Sequence, residues 1–188
     1  MRTLEEREEF LAEASRIQQL VSNLPVLPGY GFATHPVGIK LLEFDYLLLA
    51  EFFRSLRAIM EERRLEVTLA VLDPDPEEYY YHHFKHYPFV RIFPDDTEQD
   101  YLGMLLDGPS ESPADAIGIN SNVLVIYPPA MDWLIYGDRG LEIAIAAAFK
   151  EESLGILSSF KELALTQEES EAILPAEYLH LMVASREQ

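Results

Sequence analysis

The chain has no cysteine in its 188 residues, which excludes disulfides, thiol nucleophiles and cysteine-ligated zinc or iron–sulfur centres. Positive charge is also scarce. Fourteen Lys and Arg stand against 33 Asp and Glu, for a formal net charge of -19. A field of that sign repels phosphate backbones, so no nucleic-acid partner is expected, and anionic membranes are disfavoured for the same reason. Apolar runs fall well short of the roughly 20 residues that cross a bilayer. The opening Met1-Arg-Thr-Leu-Glu-Glu-Arg-Glu-Glu lacks the apolar core of a signal peptide. A cytoplasmic protein with no membrane partner is the expectation.

Motifs are missing too. The sequence contains no G-x-x-x-x-G-K-[ST], no G-x-G-x-x-G, no G-x-S-x-G and no H-E-x-x-H. No cofactor is therefore expected, and an enzyme becomes the less favoured class. Asp95, Asp96, Glu98 and Asp100 miss the spacing and the glycine of a calcium loop.

What is present belongs to a folded protein, with 48% apolar and 25% charged residues. The length suits a single globular domain over residues 1–188. Thr3 and Glu6 have the T-x-x-E spacing of a capping box, ahead of Phe10, Leu11, Ala14, Ile17, Leu20 and Val21. That pattern predicts a helix over 4–22, stopped by Asn23-Leu-Pro-Val-Leu-Pro28 and a Gly29-Tyr-Gly31 turn. A second helix is expected from Asp45, with Leu49, Phe52, Phe53, Leu56, Ile59 and Met60 as its stripe.

Residues 67–72, 88–94 and 122–127 read as strands, with 101–106 as another short one. Residues 133–136 and 141–146 read as a hairpin around Gly137-Asp-Arg-Gly140, whose glycines can take positive φ, with a helix over 141–150 as the alternative because alanine favours it. The 77–86 stretch reads as helical. Thr166 and Glu169 announce a short closing helix, with further helical turns over 176–183. The sum is an α+β fold with a mainly antiparallel central sheet, flanked by N-terminal helices and a short C-terminal helix.

Three constellations are candidates for function. On a helix, His82 and His86 share a face at i,i+4, and Glu78 lies one turn earlier, so the three can form a metal site for hydrolysis. Tyr79, Tyr80 and His83 lie in an aromatic-dense stretch of the kind that suits an interface. Trp133, Tyr136, Asp138 and Arg139 surround a hairpin tip where the Arg139 fork can grip a carboxylate or phosphate, as in a small-molecule sensor.

The acidity is uneven. Carboxylates only modestly exceed cations through residue 66 and greatly exceed them afterwards. The favoured expectation is a non-catalytic acidic protein-binding or regulatory domain, of which an immunity-type neutraliser of a basic protein is one form. Any basic partner should approach the region after residue 66. Self-association is a further expectation.

Overall fold

The structure is a computed structural model that describes residues 1–21, 32–109, 112–174, 179 and 182. Its strands are β1 (Arg2–Thr3), β2 (Gly38–Glu43), β3 (Val67–Asp73), β4 (Phe89–Ile92), β5 (Val123–Tyr127), β6 (Trp133–Asp138) and β7 (Ile143–Ala148). They form one seven-stranded sheet in the order β1-β4-β3-β5-β6-β7-β2, with every pair antiparallel. The helices are α1 (Arg7–Leu20), α2 (Ala50–Arg63), α3 (His82–Phe84), α4 (Glu98–Leu106), α5 (Ile117–Asn120), α6 (Leu154–Ser159) and α7 (Gln167–Ile173). The fold is α+β, a multi-stranded antiparallel sheet flanked by helices.

Both faces of the sheet are covered, which is why its strands read as continuous apolar runs rather than alternating ones. On one face, Leu69, Leu124, Ile126, Trp133 and Ile135 pack with the buried side chains of α2, α4 and α6. Side chains one residue out of step, such as Ala70, Val125, Leu134 and Tyr136, share the opposite core with Phe10, Ile17 and Leu20 of α1. The stripe of α2 buries Phe52, Phe53, Leu56, Ile59 and Met60, each contributing about 1.5–3 kcal/mol of transfer free energy. β7 is rich in alanine and is still a strand, because nearly all of it is buried on both faces. There the register of its pairing with β2 and β6 outweighs helix propensity.

Several local expectations give way to tertiary demands. Thr3 does not cap α1. It belongs to β1, opposite Val90, and the N-cap residue is Glu6. α2 begins at Ala50 instead of Asp45, which sits in a 3-10 turn over Phe44–Leu48. Residues 101–106 are helical, not a strand. Thr97 and Asp100 form a reciprocal capping box, and Tyr101 and Leu105 are buried one turn apart. The β6–β7 turn takes its positive φ at Glu142 (59°) and not at a glycine. The 77–86 stretch splits into a wide helical turn over Pro76–Tyr81, capped by the Asp75 carboxylate, and the short α3.

The expectations for 23–31 lie outside the described residues, as do most of those for 176–183. The Thr166–Glu169 box does form and starts α7. β2 is an addition to the expected strands. Nearly every residue in it is buried, so no alternation marks it in the sequence.

Candidate functional site

β1 is short, yet it places alternate side chains on opposite sides of the sheet. Arg2 and Leu4 face α1, where Arg2 pairs with Glu9 at 2.6 Å and Leu4 enters the core. Met1, Thr3 and Glu5 face the other way and, with Val90 of β4, form one side of a groove of about 680 Å³. α4 supplies the next side through Gln99, Asp100, Gly103, Met104 and Asp107. These residues fall largely three or four apart and so share a helical face. Gly103 leaves that wall open, since a Cβ there would meet only Asp107 Oδ2 at 3.8 Å. Tyr80, His86, Asp115 and Ile117 complete the groove.

Four carboxylates line this space, from Glu5, Asp100, Asp107 and Asp115, and no Lys or Arg side chain is among its described lining residues. Asp115 accepts from Ser112 Oγ at 2.5 Å, Tyr79 Oη at 2.5 Å and Asn120 Nδ2 at 3.1 Å. The bonds from Ser112 and then Tyr79 hold its carboxyl below the usual carboxylate range. Bonds from Thr97 do the same for Asp100, with the backbone N–H at 2.8 Å and Oγ1 at 2.6 Å. Both are therefore held in the ionised form more firmly than an ordinary aspartate. Glu5 and Asp107 are exposed. The Met1 ammonium nearby is bound by Asp96 at 2.6 Å.

The aromatic stretch supports this groove from one side. Tyr80 is 1% exposed, and burial pushes its phenol up to about 12. Tyr79 packs edge-on against Tyr80 and His83, with centroids 5.3 and 5.4 Å apart. Its hydrogen bond to Asp115 raises its own pKa above the ordinary tyrosine value. His83 is exposed, and His86 faces the groove.

His82 and His86 do not share a helical face. α3 ends at Phe84, and Lys85 turns left-handed at φ 61°, which carries His86 away. Glu78 is exposed on the preceding turn. Among the described residues, no group of three His, Asp or Glu side chains gathers to hold a metal.

The hairpin cluster is dispersed. Trp133 and Tyr136 are each 1% exposed and point into opposite cores, so neither offers contact area. Asp138 accepts from the Leu141 N–H at 3.2 Å and shapes the turn. Arg139 makes contacts within the chain. Its Nε donates to the Ser121 carbonyl at 2.8 Å and its Nη2 to the Gly118 carbonyl at 2.9 Å, with the guanidinium 5.0 Å from the Phe44 ring centroid.

Sequence reasoning missed Glu5, Met104, Asp107 and Asp115, and weighed Asp100 only against a calcium loop. The signal for α4 was present, because Thr97-x-x-Asp100 is a capping pattern. Only the pairing of β1 with β4 reveals that Glu5 belongs with the others. A second cleft, of about 650 Å³, lies between α1 and residues 72–77 and is lined largely by apolar side chains. It borders Val21, beyond which residues 22–31 are not described.

Compared with protein-family models, curated proteins and solved structures, the chain matches none. Among the described residues, no helix is long and apolar enough to cross a membrane.

Proposed function

We propose that this chain is a non-catalytic protein-binding domain for a basic protein partner in the cytoplasm, with immunity-type neutralisation as its particular form. In this reading the α4 groove receives the partner's cationic side chains. The observation that carries it is the set of four carboxylates around one groove without a lysine or arginine side chain among the described lining. Val90, Met104 and Ile117 give the stem of a Lys or Arg an apolar wall, while its head meets the carboxylates. The net charge of -19 adds long-range steering, which speeds encounter more than it deepens affinity. Three of the four groove carboxylates come from the stretch after residue 66, the part with the greater acidic excess.

The test is capture of partners by immobilised protein at low and moderate salt, comparing wild type with two charge-matched variants. Glu5→Gln with Asp107→Asn neutralises the groove, and Glu151→Gln with Glu162→Gln removes the same charge elsewhere on the surface. The expected result is a stoichiometric basic protein held by wild type and by the second variant, with at least about tenfold weaker retention by the first. Equal retention by both variants, or no stoichiometric partner at either salt, removes the reading.

A further inference from the structure

The two edges of the sheet are not alike. β2 is covered along its outer side: the Leu41 carbonyl accepts from the Leu165 N–H at 2.9 Å, and Leu42 and Ile39 bridge to Ala164 and Met182. Among the described residues β1, at the other edge, has β4 as its one neighbour. Leu4 donates its N–H to the Phe89 carbonyl at 2.9 Å and accepts from the Tyr87 N–H at 3.3 Å, so both its peptide groups point inward. Successive residues of a strand point their peptide groups in opposite directions, which turns the Thr3 N–H and C=O away from the sheet. The Thr3 side chain faces the acidic groove, and the residue is exposed. An open backbone edge and a cation-accepting groove thus meet at one residue.

We propose that the partner enters as an extended basic segment that adds antiparallel to β1, pairing with Thr3 and placing alternate Lys or Arg side chains in the α4 groove. This rests on the proposed function and specifies how the partner is held. Strand addition takes affinity from main-chain bonds and selectivity from pockets for every second side chain. Residues directly opposite each other in an antiparallel pair share a face. The partner residue bonded to Thr3 therefore projects its side chain towards Asp100, Asp107 and Asp115. Neighbouring residues project theirs out of the groove, so the preferred segment carries a cation at every second position.

The probe is a short peptide alternating lysine and valine, titrated calorimetrically into the full chain. It is compared with two isomers, one methylated on the lysine backbone nitrogens and one on the valine nitrogens. All three carry the same charge. The expected result is that lysine N-methylation weakens binding at least about tenfold, whereas valine N-methylation changes it less than about twofold. Thr3→Pro, which removes the outward N–H and leaves the ladder to β4 intact, should weaken the parent peptide to a similar extent. Its thermal midpoint reports whether it folds, and the N-methyl series decides the matter if it does not. Equal binding of all three peptides, selective loss with the valine isomer, or failure of the parent peptide to bind each overturns strand addition. The groove-variant capture experiment decides separately whether the acidic groove is a protein-binding site.

Discussion

Arg139 donates its Nη2 to the Gly118 carbonyl at 2.9 Å, tying the β6–β7 turn to α5. The same side chain bonds the Ser121 carbonyl and lies over Phe44, so three separate segments meet on one cation. This is an internal brace, and it commits the Nε edge of the guanidinium to backbone carbonyls.

Replacing Arg139 by Met should therefore cost about 2–3 kcal/mol in urea unfolding, the scale of charge-assisted hydrogen bonds. Lysine should restore less than half of that, because it lacks the planar fork. Phosphate titration should shift the thermal midpoints of wild type and Arg139→Met equally. A shift confined to wild type would restore the anion-sensing role.

Glycine-to-alanine substitutions at three positions should rank by what the new methyl meets. At Gly118 it lies 2.9 Å from the Leu105 carbonyl oxygen, which is backbone and cannot turn aside. At Gly137 it lies 2.8 Å from Leu47 Cδ1 and 3.1 Å from two atoms of the Phe44 ring, all of them side-chain atoms. At Gly155, in α6, nothing lies within 4 Å. We expect Gly118→Ala to be the most destabilising, by about 1–3 kcal/mol, Gly137→Ala to be milder, and Gly155→Ala to stabilise by about 0.5–1 kcal/mol. Denaturation midpoints give the order.

The carboxyl of Asp115 is lowered in the fold, first by Ser112 and then by Tyr79. A lowered carboxyl stabilises the fold above its unfolded value of about 3.9 and stops doing so as the pH falls through its folded value. Asp115→Asn should be destabilised at neutral pH, with the gap to wild type closing below about pH 4. A gap independent of pH would remove the ionised role.

Tyr80 behaves in the opposite sense. Its phenol is raised to about 12 by burial, so the stability tied to it is full below about 10 and falls as the pH rises from there towards 12. Tyr80→Phe should lose stability less steeply than wild type in an alkaline series. Phenolate absorbance, followed alongside circular dichroism, would separate ionisation from unfolding.

Thr97→Ala removes the oxygen that accepts from the Asp100 N–H at 3.2 Å. We expect a loss of about 1 kcal/mol. Thr3→Ala, at the T-x-x-E pattern that caps nothing, should leave helix content unchanged by circular dichroism.

These two threonines show what was legible in the sequence. T-x-x-E/D patterns at Thr3, Thr97 and Thr166 precede helices, and those at Thr97 and Thr166 form caps. The one at Thr3 yields to pairing with Val90, which no local rule contains. The strands at 67–73, 89–92 and 123–127 and the 133–148 hairpin were legible because β-branched and apolar runs were bounded by proline or turn residues. β2 was not, since Gly38, Lys40 and Glu43 break up its apolar residues and Ile39 is its one β-branched side chain.

For the groove, the sequence singled out Tyr79 and Tyr80 as part of an aromatic-dense stretch, His86 as a metal ligand, and the acidic bias after residue 66. It could not assemble Glu5 with Asp100, Asp107 and Asp115, because the sheet register sets that meeting. His82 and His86 failed to converge for a local reason, the left-handed Lys85 between them.

The strand order also bears on how the chain emerges from a ribosome. Both edge strands come from its first 43 residues, yet β1 pairs with residues 90–91 and β2 with 143–148. Neither edge can be seated until its distant partner has been synthesised. Through most of translation, Ile39, Leu41 and Leu42 wait without the strand that will cover them. Such long-range pairing slows folding and prolongs exposure of apolar segments. Nascent chains truncated before residue 143 should accordingly engage chaperones more than those extended past 148.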